Sequence, residues 1–161
     1  MPLVSIEPRE RKTIRLQGYD YSKSGVYFVT VCVTDRHMLL GNVIENKVVL
    51  TEIGQIVEDA IQVIPSVYDS VSVERHVVMP NHVHMLLVLR SALDHAAPSV
   101  SRIIQQWKGI ITKQATFAFW QRSFHDRIIK DRDKYQMITE YIENNPRNWK
   151  QDRFYVPDNM L

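Results

Sequence analysis

Residues 71–90, VSVERHVVMPNHVHMLLVLR, are the stretch that decides the fold. β-Branched and other apolar residues dominate both halves, and such residues favour extended strands. Only Pro80 and Asn81 separate the halves, and residues of these two types are common in tight turns. The sequence therefore predicts two antiparallel strands, over residues 71–80 and 82–90, that lie next to each other.

Strands and helices alternate on either side of this hairpin. Segments rich in β-branched and aromatic residues predict a strand over residues 25–36, a hairpin or edge strand over 42–50, and a last strand over 117–129. Segments with apolar residues three and four apart predict helices over residues 51–64, from Ser99 onward, and over 131–144.

This order of elements is the split βαβ pattern of a ferredoxin-like fold. We expect an α+β protein, with an antiparallel sheet and helices packed on one face. The sequence has no internal repeat, low-complexity segment or linker, so residues 1–161 predict a single domain. Within it we expect a basic N-terminal arm over residues 1–16 and a docked C-terminal tail over residues 150–161.

Composition restricts the class of protein. Of the 161 residues, 45% are hydrophobic and 24% are charged, which argues against a disordered or fibrous chain. The lone Cys32 cannot form an internal disulfide, which favours a reducing compartment. The start of the chain lacks a signal-peptide pattern, and no apolar run is long enough for a membrane span. We therefore expect a cytoplasmic protein without a membrane partner.

Charge is distributed unevenly along the chain. Residues 101–161 carry eleven Lys and Arg against seven Asp and Glu, and Arg9, Arg11, Lys12 and Arg15 form a basic cluster near the start. These two regions could meet an anionic partner such as nucleic acid. Solvated charge on helix surfaces explains the same pattern equally well.

His82 and His84 lie one residue apart at the start of a predicted strand. Side chains alternate along a strand, so both imidazoles point to the same face and could bind one divalent ion. The alternative is a pair of strand-end histidines that bond to water or backbone. The spacing His-x-His does not by itself decide between the two.

An oxygen ligand could complete such a site from the helix over residues 131–144. Tyr141 and Asn145 are four residues apart, so they share a helix face about 6 Å apart along the axis. Asn145 could offer a carbonyl oxygen to an ion, with the Tyr141 phenol beside it. Alternatively, Tyr141 is an amphipathic core residue and Asn145 caps the end of the helix.

Together these residues suggest a reaction. A tyrosine beside a divalent cation and near basic residues can attack a phosphodiester, while the ion offsets the developing charge. The product is a covalent phosphotyrosine, which conserves the bond energy for rejoining. The pattern therefore favours strand transfer over hydrolysis.

Four motifs, in this order, resemble those of HUH single-tyrosine transposases of the insertion-sequence-200-like type. The resemblance is to the branch associated with repetitive extragenic palindromes (REP), and it covers roughly residues 11–150. The motifs are RLQGYDYSKSGVYFVTVCVTDR (15–36), MPNHVHMLL (79–87), WQRSFHDRII (120–129) and YIENNP (141–146).

The resemblance implies a transposase that cleaves and rejoins single-stranded DNA at hairpin-forming, REP-like repeats, in the bacterial cytoplasm at the nucleoid. It implies that His82, His84 and Asn145 hold Mg²⁺ or Mn²⁺. It also implies that Tyr141 is the nucleophile, which forms a 5′-phosphotyrosine and leaves a free 3′-hydroxyl. Tyr135 competes for this role on pattern alone, but it lies well around the helix from Asn145. Members of the family work as monomers or as homodimers, and the sequence leaves both open.

Basic residues are the expected DNA contacts. The resemblance makes the N-terminal arm a reader of bases beside the hairpin, through Arg9, Arg11, Lys12 and Arg15. The expected phosphate contacts are Arg102, Lys108, Lys113, Arg122, Arg127 and Lys130. His125 and Asp126 are secondary candidates for a metal ligand or a proton carrier.

Two other functions remain open at this point. The chain could be a single-stranded DNA-binding domain without catalysis, although such a domain would be expected to lose at least one of His82, His84, Tyr141 and Asn145. It could also be a metal-dependent nuclease that uses a metal-bound water, in which case no covalent intermediate would form.

Overall fold

The structure is a computed structural model and describes residues 25–91 and 97–157. Its strands are β1 (Gly25–Cys32), β2 (Gly41–Ile44), β3 (Lys47–Leu50), β4 (Val71–Met79), β5 (His82–Leu89) and β6 (His125–Ile129). Its helices are α1 (Glu52–Gln62), α2 (Ile64–Val67), α3 (Val100–Ala115) and α4 (Arg132–Asn144), with short 3₁₀ turns at Thr34–Arg36 and Trp149–Gln151. Within the two described ranges, no helix is long and apolar enough to cross a membrane.

The predicted hairpin is the centre of the sheet. Met79 of β4 pairs with His82 of β5, so Pro80 and Asn81 alone form the turn. Four strands make an antiparallel sheet in the order β4-β5-β1-β6, and β2 and β3 form a separate hairpin. The α+β, ferredoxin-like class is therefore confirmed.

The helices cover both faces of this sheet, not one. Every residue of β5 is buried. Val83 and Leu87 belong to the core cluster that α1 and α3 complete, whereas Leu86 and Val88 pack with Ile142 of α4. The expectation of helices on one face was wrong for α4. A strand with apolar side chains at successive positions has two faces to bury, so it needs cover on both.

The last strand is shorter than the predicted residues 117–129. The ladder between β1 and β6 ends where Thr30 pairs with His125, and before that point only an isolated bridge joins Val33 to Trp120. The Phe119 and Trp120 rings pack against each other, with centroids 4.8 Å apart. Adjacent aromatic side chains that pack together do not alternate between two faces, so the segment stays irregular.

Thr51, directly before α1, and Gly54 in its first turn fix the start of this helix. The Thr51 side-chain oxygen accepts a hydrogen bond from the Gly54 amide at 3.0 Å, and its hydroxyl donates to the Leu39 carbonyl at 2.6 Å. These bonds hold the helix against the chain that precedes β2. The Leu40 carbonyl oxygen lies so close to Gly54 that a Cβ atom at this residue would overlap it. Glycine is therefore required at this position by packing.

Substitution Gly54→Ala is expected to lower the free energy of unfolding by about 3 kcal/mol or more, because the new methyl group meets backbone that cannot rotate away. The matched control is Gly109→Ala in α3, where a Cβ would meet nothing within 4 Å. That change should raise the free energy of unfolding by about 0.5–1 kcal/mol, through helix propensity. Urea denaturation measures both values, and equal effects at the two glycines would contradict the packing argument.

The tail docks on the face of the sheet that carries α4. Trp149 and Phe154 are buried in a cluster with Met79 and Cys32. Burial raises the pKa of the Cys32 thiol to about 11, so this side chain packs as a neutral group. The predicted docking of the tail is thus observed for its described residues, and it brings the tail beside His82.

Candidate functional site

Two buried histidines form the centre of the site. His82 and His84 are 0% and 2% exposed, and their ring centroids lie 4.6 Å apart. His82 Nδ1 is 2.8 Å from Asn81 Oδ1, and His84 Nδ1 is 2.8 Å from Thr30 Oγ1. Strand alternation places both imidazoles on one face, as the sequence predicts, and the structure shows that this face carries α4 and the tail.

The Asn81 side chain sets the tautomer of His82. Its amide nitrogen donates to the Phe154 carbonyl at 2.8 Å, so its oxygen is left to accept from His82 Nδ1. The proton of His82 therefore lies on Nδ1, and Nε2 presents a lone pair. Outer-shell hydrogen bonds of this kind orient the histidines of metal sites.

Three buried polar atoms in this region lack a hydrogen-bond partner among the described residues: His82 Nε2, His84 Nε2 and Asn145 Oδ1. A buried polar atom without a partner costs about 1–3 kcal/mol. Two imidazole nitrogens and an amide oxygen are ligands that a divalent cation accepts. The site therefore fits a metal ion on the chemistry of its own residues.

Asp152 of the tail is a further candidate ligand, and the sequence reasoning missed it. His82, His84 and Asp152 each offer one ligand atom, and these atoms lie within 4.8 Å of one another. Asp152 Oδ2 also accepts a hydrogen bond from Asn145 Nδ2 at 2.9 Å. Asn145 and Asp152 thus stand side by side as oxygen donors, and this group could bind a metal.

Burial sets the charge of the histidines. It lowers the pKa of His82 to about 3, although the Asn145 side chain beside it acts in the opposite direction. Burial, followed by the neighbouring His82, holds the pKa of His84 well below its ordinary value. Both imidazoles are therefore neutral at neutral pH, which is the form that binds metal ions.

Tyr141 stands beside the histidines at the surface of the protein. Its side chain is 42% exposed, and its ring centroid lies 5.3 Å from that of His84. Its hydroxyl donates to Asp152 Oδ2 over 3.4 Å, a long bond. Burial, and then the charge of Asp152, raise the pKa of the Tyr141 phenol. The phenol is therefore protonated at neutral pH.

The other candidates are placed differently. Tyr135 is half-buried against the cluster that α4 forms with the sheet, so it contributes to packing. His125 pairs with Thr30 and so shares the face of His84, whereas Asp126 pairs with Val29 and is buried. Among the described side chains, neither His125 nor Asp126 belongs to a group close enough to share an ion.

The predicted phosphate contacts do not form one surface. Arg102, Lys113 and Arg122 are exposed on or near α3, across the sheet from Tyr141, whereas Arg127 is exposed on β6 beside the site. The arm residues Arg9, Arg11, Lys12 and Arg15 lie outside the described residues.

Two lysines depart from the prediction of phosphate contact. Lys130 is fully buried, so it cannot track a DNA backbone in this conformation. Lys108 Nζ donates to the carbonyls of Gln121 and Ser123, at 2.8 and 3.3 Å, which ties the irregular segment to α3. A charged residue in a sequence pattern does not reveal whether its side chain is buried.

Comparison with known proteins finds a relative in sequence and several solved structures of similar fold. No protein-family model matches the chain. An uncharacterised protein of Haemophilus influenzae is 30% identical in a match that covers 91% of this chain and 93% of that protein.

The structure of a REP-associated tyrosine transposase bound to a REP hairpin superposes with a TM-score of 0.64 and 23% identity, over 84% of this chain and 74% of that one. The structure of a candidate transposase from Deinococcus radiodurans R1 has a TM-score of 0.49 and 19% identity, over 82% of this chain and 97% of that one. The chain belongs to one family with the Haemophilus influenzae protein, and it shares the fold of the REP-associated tyrosine transposase.

Proposed function

We propose that the chain is a metal-dependent transposase that cleaves and rejoins single-stranded DNA at hairpin-forming repeats, in the bacterial cytoplasm at the nucleoid. The observation that carries the proposal is the meeting of Tyr141, two buried imidazoles and the Asp152 carboxylate at one point. Hairpin DNA as the substrate is supported by the solved transposase of similar fold, which is bound to a REP hairpin.

His82 and His84 would hold Mg²⁺ or Mn²⁺, and Asn145 or Asp152 would supply an oxygen ligand. When bound, a divalent cation polarises a phosphoryl oxygen and offsets the charge that develops on it. The neutral imidazoles and their outer-shell partners, Asn81 and Thr30, keep the ligand atoms in place without the ion.

Tyr141 would act as the nucleophile. Its phenol oxygen forms a bond to the phosphorus of the scissile phosphodiester, and the bond from phosphorus to the 3′-oxygen breaks. The phenol proton can pass to Asp152, which already accepts a hydrogen bond from this hydroxyl. The leaving oxygen takes a proton from solvent and becomes a free 3′-hydroxyl. Attack by a second 3′-hydroxyl reverses the step and rejoins the strands.

The rest of the chain would serve this site as one domain over residues 1–161. The tail belongs to the site, since Phe154 packs on His82 with ring centroids 4.3 Å apart. The exposed residues Arg102, Lys113, Arg122 and Arg127 would contact phosphates, which adds affinity without sequence choice. The basic arm over residues 1–16 would read bases beside the hairpin.

The test is covalent capture. Short single-stranded DNA that carries a hairpin from inverted repeats near the gene is incubated with protein and Mn²⁺, and the mixture is denatured. We expect a protein–DNA adduct that is absent with chelator and that peptide mapping assigns to residue 141. Cleavage without an adduct would favour the nuclease that uses water. Binding without cleavage or an adduct, over a panel of such hairpins, would favour the DNA-binding domain.

A further inference from the structure

A cavity of about 430 Å³ opens beside Tyr141, between β1, β6, α4 and the tail. Its volume lies within the range of roughly 300–1,000 Å³ that is typical of small-ligand sites. His84 and Tyr141 form part of its wall, so the cavity is continuous with the candidate metal centre. Neither His82 nor Asp152 lines the cavity, and the cleavage reaction as proposed above does not use its apolar part.

Apolar groups line much of this cavity. Phe28 of β1 is half-buried, and its ring stacks on His84 with centroids 5.1 Å apart and planes 28° apart. From α4, Met137 and Ile138 face the same space, and Met137 is 60% exposed. An aromatic ring with a flexible, polarisable methionine makes a surface suited to a flat, apolar ligand.

Two arginines border the apolar wall, and Asp126, the one acidic residue among the described residues that line the cavity, is buried. Arg127 of β6 is exposed and pairs with Phe28 in the sheet register. Arg153 of the tail also lines the cavity, and its guanidinium lies 4.9 Å from the centroid of the Phe154 ring. A ligand that combines a flat apolar part with a negative charge matches this arrangement. A nucleotide has both parts.

The position of the cavity indicates which nucleotide would fit. A phosphate under attack by Tyr141 must lie beside that hydroxyl, and the nucleosides joined by that phosphate are the groups next to it. We infer that the cavity holds the unstacked base of a nucleotide that shares the scissile phosphate, between Phe28 and Met137. The inference rests on the proposed function, because it takes the DNA strand to pass Tyr141.

Recognition in this cavity would depend on stacking. Every base offers a flat π-face, so stacking accepts different bases, whereas an abasic nucleotide offers none. We therefore expect a strong requirement for a base and little preference for which base it is. Holding one base out of the stack would also fix the phosphate against Tyr141.

The test uses methyl NMR of protein labelled in its methionine methyl groups, with the dinucleotides d(TpT) and d(ApA) as probes. The matched control probe is a dinucleotide in which both bases are replaced by hydrogen. We expect the Met137 methyl signal, assigned by its loss in Met137→Ala, to shift with both base-containing probes and not with the abasic one. The signal of the fully buried Met85 is the internal control.

Substitution Phe28→Leu should weaken binding of d(TpT) about tenfold, because a stacking partner is lost. An unchanged Met137 signal at millimolar d(TpT), or an equal shift with the abasic probe, would overturn the inference. Both outcomes use the unaltered protein, so they do not depend on the folding of a variant. Formation of the covalent adduct without a Met137 response would refute the base site alone. A Met137 response without any adduct would support the base site and count against strand transfer.

Discussion

Tyr141→Phe is expected to abolish covalent capture of DNA, with a loss of about 10³-fold or more. The phenol oxygen is the atom that would bond to phosphorus, and phenylalanine lacks it. The variant should fold normally, because Tyr141 is 42% exposed and its hydroxyl makes one long bond, to Asp152. Hairpin binding, measured by fluorescence anisotropy, should stay within about twofold of the unaltered protein, since phosphate contacts dominate affinity.

The matched control is Tyr135→Phe on the same helix. Tyr135 is half-buried against the sheet, with its neighbour Ile138, and serves the packing of α4. This variant should retain the adduct, with at most a small loss of stability. An adduct that persists in Tyr141→Phe and disappears in Tyr135→Phe would reverse the assignment of the nucleophile.

Local patterns predicted most of the fold, and packing between distant segments decided the rest. The strands at residues 71–90 follow from β-branched composition and a two-residue turn, and both are local properties. The place of α4 depends on which faces of β5 remain uncovered. The run HVHMLLVL already carries that information, because apolar residues at successive positions indicate burial on both faces. The prediction of helices on one face did not take this run into account.

The candidate site divides in the same way. The common direction of His82 and His84 follows from the two-residue period of a strand, and the pairing of Tyr141 with Asn145 follows from the helix period. Asp152 could not be predicted from a local period, because it is far from the histidines in sequence. It reaches them only when the aromatic residues of the tail dock on the sheet.

Charge patterns misled the sequence reasoning where burial mattered. Lys130 directly follows the last strand in a basic part of the chain, which made it a candidate for phosphate contact. Its position in the fold is fully buried. Its immediate neighbours do not distinguish it from the exposed Arg127, three residues earlier, because each has an isoleucine on one side and an aspartate on the other.

Mn²⁺ is expected to raise the melting temperature of the unaltered protein and to leave that of His84→Ala unchanged. Since the ligand atoms meet only in the folded chain, binding stabilises that state, by about 2.7 kcal/mol at an ion concentration 100 times the Kd. For a chain of this size the gain corresponds to roughly 5–10 °C. The ion would also bind His82 Nε2 and His84 Nε2, buried ring nitrogens without a hydrogen-bond partner among the described residues. Differential scanning fluorimetry with Mn²⁺, and then with chelator, measures the shift.

His37→Ala is the control for this prediction, because His37 is exposed and lies outside the candidate site. It should keep the full Mn²⁺ shift, and an equal shift in His84→Ala would place the ion elsewhere. The same assay separates the two oxygen donors. Asp152→Ala and Asn145→Ala each remove one of them, and loss of a ligand should weaken Mn²⁺ binding at least about tenfold, as outer-shell changes already do. If only Asn145→Ala loses the shift, the third ligand is Asn145, the residue that the helix spacing predicted. If only Asp152→Ala loses the shift, the tail completes the metal centre, and docking of the tail becomes a condition for catalysis.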